Sequence, residues 1–275
     1  MSKVRWVKTD EEIRAAEAAN PEFLPSTLQQ IRAVYETDPE IVAAVLPKPL
    51  EPSGKGEVGI TISKVSMHMA PGFDIEIGAA LLGVKAVYDG TEGLYLLTMP
   101  MTTEGAVVGG REVYGEPKKI ADIAFTRDGD AVTATVTRQG VPYIEVSGTI
   151  GTALGPRAFT EHAYTFKCLP ALDRTKTFEF DPLLVRLEWQ HDFKRVDEFD
   201  GNITLRESPF DPVADLPVRR IVSMTYEEGG TKSNGTVLRS VPGEWLRPFL
   251  HTRYDDVAGM LAASSTEAEA TAEQA

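Results

Sequence analysis

The residues best equipped for chemistry in this 275-residue chain are the two lysines closing the run Gly110-Arg111-Glu112-Val113-Tyr114-Gly115-Glu116-Pro117-Lys118-Lys119. A Lys-Lys pair behind a proline is usually a solvated turn. Here two glycines, an Arg-Glu pair, a tyrosine and a proline crowd the same stretch, fixing backbone conformation as well as charge, and that favours a lysine nucleophile. A free lysine titrates near about 10.4, so only about one amine in a few thousand is uncharged at neutral pH. A nucleophilic lysine therefore needs surroundings that favour the free amine. If Pro117-Lys118-Lys119 is extended, adjacent side chains point to opposite faces and the two lysines do not share a pocket. Burial, more than a neighbouring charge, is then the expected means of activation.

The same run resembles the active-site segment of the acetoacetate decarboxylase superfamily, with its Gly-Arg-Glu, a four-residue gap and Pro-Lys-Lys. The resemblance implies that Lys118, the first lysine, forms a Schiff base with a ketone, and that Lys119 matches the second lysine; the opposite facing of the two gives Lys119 a structural role. Aligning back from the motif, with a short gap, carries the family's active-site glutamate onto Glu76, the expected proton shuttle. By pattern alone Asp74 and Glu76 read as one solvated face of a strand, with Ile75 and Ile77 on the other. Arg111 is a candidate for holding a substrate carboxylate in its guanidinium fork, and equally an ion-pair partner of Glu112 or another barrel carboxylate. Tyr114 and Tyr254 are candidate hydrogen donors at the substrate.

A protonated imine on Lys118 would draw electrons from the bond next to the former carbonyl. A β-keto acid could then lose carbon dioxide, or pyruvate could become an enamine that attacks an aldehyde and afterwards loses water. The family's decarboxylases carry an arginine before the pre-barrel helix and a second glutamate fifteen residues before the first. Those positions fall here at Leu28 or Gln29, with Arg32 nearby, and at Thr61; residues 58–67 contain no acid. These departures favour a pyruvate aldolase-dehydratase. Decarboxylation of acetoacetate or another β-keto acid is the alternative, and a non-catalytic barrel binding a small ligand is a third reading.

The elements that must position these residues read as follows. Thr9 and Glu12 have capping-box spacing before a helix over 9–20, a second helical turn is expected over 26–34, and Thr37-Asp38-Pro39 opens a third. From Glu57 the apolar period becomes two. Strands are expected around 58–63, 73–80, 83–88 and 94–99, with a turn at Asp89-Gly90. Hairpin signals follow at 126–130 and Gln139-Gly140, and further strands at 164–170 and 183–189. The resemblance spans 35–226. The expected fold is α+β, mostly β: an acetoacetate decarboxylase-like antiparallel β-barrel or cone with peripheral N-terminal helices. One such domain over 1–263 and a disordered acidic tail over 264–275 are expected.

A net charge of −13 argues against nucleic acid or an anionic membrane as partner. Cys168, the single cysteine, excludes an intrachain disulfide and reads as a core residue. The N-terminus lacks an apolar signal region, and the most apolar stretch, 75–84, is too short to span a bilayer. A soluble cytoplasmic protein is expected. The four histidines lack metal-ligand spacing, and His191-Asp192 reads as a solvated loop pair. No cofactor or metal is expected. The partners are a small-molecule oxo acid and an aldehyde, and the resemblance implies a homo-oligomer.

Overall fold

The computed structural model describes residues 4–19, 26–70, 72–173 and 175–255; the expected tail lies outside them. Helix α1, Asp10–Ala19, opens on a reciprocal capping box. The Thr9 amide donates to Glu12 Oε2 at 2.9 Å, and the Glu12 amide donates to Thr9 Oγ1 at 3.3 Å. The helical turn expected over 26–34 is instead strand β1, Ser26–Glu36, whose local helix formers are overridden by partners along both edges. Helix α2, Pro39–Ala44, begins with proline as expected; the Asp38 side chain pairs with Arg219 and does not cap it.

After the short β2, Glu51–Pro52, come β3, Glu57–Ala70, β4, Phe73–Tyr88, and β5, Thr91–Met101. The two segments expected over 73–80 and 83–88 are thus one strand. Asp89 and Gly90 turn it into β5 with φ of 49° and 72°, the hand that matches strand twist. Helix α3, Glu104–Tyr114, was not anticipated, and a three-residue strand, β6, Lys118–Ile120, follows it. The hairpins β7, Asp122–Asp128, β8, Ala131–Arg138, and β9, Val141–Ala153, lead to β10, Arg157–Lys167. The long strands β11, Leu183–Leu205, and β12, Arg220–Ser240, precede α4, Gly243–Leu246, and 3-10 turns over Arg247–Phe249 and His251–Tyr254.

The sheet runs β10-β5-β4-β3-β1-β12-β11, and β10 also pairs with β11. Seven strands therefore close into a ring, antiparallel except where β10 meets β5. This is the mostly-β barrel expected from the sequence, with α1 and α2 preceding or bridging its strands. The end of β11 leaves β10 and pairs with β9, so the sheet continues as β9-β8-β7. The larger core joins outward-facing side chains of the barrel, such as Ile60, Ile62, Leu82 and Val84, to Val132, Ala134 and Val136 of β8. A separate apolar cluster fills the lumen: Ile77, Leu94, Leu96, Met99, Met101, Leu187 and Trp189, with Ala106, Val107 and Tyr114 of α3 packed on it. Helix α3 thus covers part of the lumen, and the chain leaves it directly into the lysine pair.

Candidate active site in the barrel lumen

Gly115 ends α3 in the left-handed conformation, φ 70°, and its amide bonds the carbonyl of Arg111 at 3.1 Å. No other residue fits there, because a Cβ would lie 2.4 Å from the Lys167 backbone. The sharp turn returns Glu116, Pro117 and Lys118 beneath the helix they have just left. Gly110 makes this possible: a Cβ there would stand 2.2 Å from Glu116 Oε2 and 2.7 Å from Lys118 Nζ. Lys118 Nζ lies 2.8 Å from Glu116 Oε2. The two form a buried ion pair, and among the described residues no other donor reaches Glu116 Oε2.

Register carries Lys118 into the lumen. Lys118 lies opposite Met99 in the β6–β5 pair. Ala79 faces Met101 and Leu82 faces Thr98 without a shift between them, so Leu81 faces Met99. Leu81 faces Thr61, and Thr61 faces Arg32. Lys118, Met99, Leu81, Thr61 and Arg32 therefore form one row around the wall, their side chains on the same face of the sheet. The lysine side chain is 13 % exposed and the arginine side chain 17 %, so each borders an opening and neither is sealed in the packed cluster.

Lys119, next along β6, points the other way. Its Nζ bonds Asp211 at 3.0 Å, Asp255 at 2.8 Å and the Phe210 carbonyl at 3.1 Å, and Arg138 bonds both aspartates. Burial works against the charge on Asp255, and the hydrogen bonds from Arg138 and Lys119 outweigh it, holding the carboxyl below its ordinary range. Beside this cluster a cavity of about 190 Å³ opens between Gly115, Pro117, Leu216, Phe249 and Arg253. It lies behind the lysine turn, and Lys118 does not line it.

The other expected site residues are not gathered around Lys118. Glu76 faces Ser66 across the β3–β4 pair, one residue out of phase with the inward Ile75 and Ile77, and so stands outside the barrel. Its carboxylate pairs with Lys64 at 2.8 Å and its side chain is 66 % exposed. The gapped alignment selected a residue of the wrong parity, whereas the solvated-face pattern described it correctly. Among the described residues Arg111 pairs with no carboxylate. Its Nη1 donates to the carbonyl of Lys118 at 2.9 Å, and its guanidinium stacks 4.9 Å from the ring centre of Tyr254. Arg111 and Tyr254 thus clamp the strand that carries the nucleophile candidate. Tyr114 does face the lumen, its ring held against Gly235.

Arg32, noted in the sequence near the family's arginine position, stands on the inner wall with His191 and two glutamates that sequence reasoning passed over. His191, expected on a solvated loop, is a buried residue of β11. It lies 3.3 Å from Glu161 of β10, which takes Arg32 Nη1 at 2.7 Å. Arg32 Nε reaches Glu227 of β12 at 3.2 Å. The available signal was alternation: Glu161 sits between Phe159 and Ala163, which also face inward. Cys168 is partly buried away from this group, and burial raises its thiol. Among the described residues no cluster of three histidine, cysteine or acidic side chains could hold a metal, and no helix is long and apolar enough to cross a membrane.

A family model described as acetoacetate decarboxylase matches residues 12–241. The acetoacetate decarboxylase of Paraburkholderia phytofirmans is 30% identical over 216 residues, covering 75% of this chain and 79% of its own length. That of Burkholderia ambifaria is 30% identical over 203 residues, covering 70% and 78%. Among solved structures, an acetoacetate decarboxylase superposes with a TM-score of 0.69 at 20% identity, over 85% of this chain and 99% of that one. The enduracididine biosynthesis enzyme MppR, complexed with pyruvate, superposes with a TM-score of 0.65 at 16% identity, over 78% and 90%. MppR has also been solved with the condensation product of pyruvate and imidazole 4-carboxaldehyde. At these identities the solved structures speak for the fold.

Proposed function

We propose, from the premise that the chain belongs to the acetoacetate decarboxylase family, that it is a lyase of that type acting on a small oxo acid through an imine on Lys118. The observation that carries this reading is the buried Glu116 carboxylate, paired with Lys118 Nζ at 2.8 Å and with no other donor at that oxygen among the described residues. Once its proton has passed to Glu116, the free amine of Lys118 adds to the ketone carbon, and the resulting carbinolamine must shed its hydroxyl as water. A carboxyl group beside the nitrogen is placed to move those protons. Glu116 takes the part first assigned to Glu76, which lies on the outer face.

Between the two reactions open to such an imine, aldol condensation with dehydration is favoured. Loss of carbon dioxide needs only the electron sink of the protonated imine and leaves no further task for Glu116. Making an enamine from pyruvate needs a base for the proton α to the imine, and Glu116 is that base. The enamine carbon attacks an aldehyde carbon, the alkoxide takes up a proton, water is eliminated, and hydrolysis of the imine returns Lys118. MppR, with the same fold, binds a product of pyruvate condensation. Decarboxylation of a β-keto acid is the second reading, and the curated acetoacetate decarboxylases at 30% identity favour it.

Reduction with borohydride in the presence of pyruvate or acetoacetate, followed by peptide mass spectrometry, is expected to place an adduct on Lys118. Glu116→Gln should slow its formation by about 10²-fold or more. Absence of an adduct with every small oxo acid would leave the non-catalytic barrel. Aldehyde consumed with pyruvate, against carbon dioxide released from acetoacetate, separates the two reactions.

A further inference from the structure

The imine chemistry makes no use of the polar group on the lumen wall. Arg32, in the same row as Lys118, has two guanidinium nitrogens on carboxylates and the third beside the histidine nitrogen that donates to Glu161. Nη1 meets Glu161 at 2.7 Å, Nε meets Glu227 at 3.2 Å and Nη2 meets His191 Nε2 at 3.3 Å. Glu227 is fully buried, and its other oxygen takes the Thr225 hydroxyl at 2.9 Å. His191 is held by Thr231 at 2.8 Å on its other nitrogen. Two carboxylates thus face one guanidinium, and a substrate carboxylate would have to compete with both for its remaining N–H groups.

Glu161 alone in this group is left open. Both Arg32 and His191 contact its Oε2, no contact among the described residues reaches Oε1, and the side chain is 21 % exposed. Burial pushes the Glu161 carboxyl up, but the hydrogen bond from His191 and the charge of Arg32 outweigh it and hold the group at about 2. It is therefore an anion throughout the working range. A fixed, partly desolvated carboxylate oxygen accepts a hydroxyl or an ammonium and repels another anion.

We propose that Glu161 is a specificity-determining residue of the lumen, selecting oxo substrates that carry a hydrogen-bond donor at the end remote from the carbonyl carbon taken by Lys118. The assignment rests on the imine reading for the position of the carbonyl, and on the Arg32 row for the position of the donor.

Four ketones of similar length test it: 4-hydroxybutan-2-one, 4-aminobutan-2-one, pentan-2-one and acetoacetate. In pairwise competition for borohydride-trapped adduct, the hydroxyl and ammonium compounds should exceed pentan-2-one and acetoacetate by about tenfold, the worth of one hydrogen bond to a charged group. In Glu161→Gln the preference for the ammonium compound over pentan-2-one should fall to within about twofold of unity, since the amide no longer attracts a cation. A wild-type order headed by pentan-2-one or acetoacetate would overturn the assignment, and so would an unchanged order in Glu161→Gln. The wild-type order decides alone should the variant not fold. If no ketone is trapped at all, the imine reading fails, and ligand-observed NMR with Lys118→Ala protein then tests Glu161 separately. The same order of binding supports the assignment there, and equal binding of the four overturns it.

Discussion

Gly110 is where the geometry of the nucleophile can be changed without touching it. The helix gains from alanine at that position, by about 1 kcal/mol of propensity. The added Cβ, however, would occupy space now held by Glu116 Oε2 and the end of the Lys118 side chain, 2.2 to 2.7 Å away. Both are flexible tips that can move aside at little cost to folding. The lysine then leaves its place in the lumen, and a displacement of about 1 Å at a reacting atom costs on the order of 10²-fold in rate. Gly110→Ala is therefore expected to trap imine about a hundredfold more slowly, with a denaturation midpoint at or above that of the parent. A variant that lost stability and kept its trapping rate would show that the glycine serves packing alone.

The short strand β6 separates the two lysines, and the separation has different consequences on its two sides. Lys118 faces the lumen, whereas Lys119 is buried among Asp211, Asp255 and Arg138, tying β6 to the loop before β12 and to the end of the His251–Tyr254 turn. Replacing Lys119 with methionine leaves Asp211 and Asp255 with Arg138 as their one shared cation among the described residues. Removing one partner from a buried ionic network costs about 3–5 kcal/mol, to be read as a lowered urea midpoint. Trapping at Lys118 in the folded fraction should persist, and its loss at neutral pH with recovery at high pH would mean that the Lys119 charge activates its neighbour. This opposite facing was legible in the sequence, because it follows from the period of two and a strand of three residues. The helix before it was not. Gly105, Gly109 and Gly110 depress helix propensity across α3, and what holds α3 is tertiary contact of Ala106, Val107 and Tyr114 with the lumen cluster. Strand β1 failed in the opposite sense, its Leu, Gln, Arg and Ala favouring a helix that pairing on both edges forbids.

At the scale of the whole barrel, the candidate site divides by how far apart in the chain its members lie. Glu116 and Lys118 are neighbours in the sequence, so their motif was visible. Arg32, Glu161, His191 and Glu227 come from four strands that only ring closure brings together, so apart from Arg32, which lay near the family's arginine position, nothing local marked them as a site. Closure also has a thermodynamic signature, because the Glu161 carboxyl is held at about 2 in the folded protein against an ordinary 4.5. A depressed carboxyl stabilises the fold fully above its unfolded value, and that contribution is lost as pH falls from about 4.5 towards about 2, where the folded state must also take up the proton. Glu161→Gln has no such titration. The difference in unfolding free energy between parent and variant should be constant from pH 7 to about 5 and should shrink steadily below it, measured by urea denaturation at each pH. A difference that stayed flat down to pH 3 would mean that Arg32 and His191 do not hold Glu161 as an anion inside the closed ring, leaving the lumen without its charged acceptor.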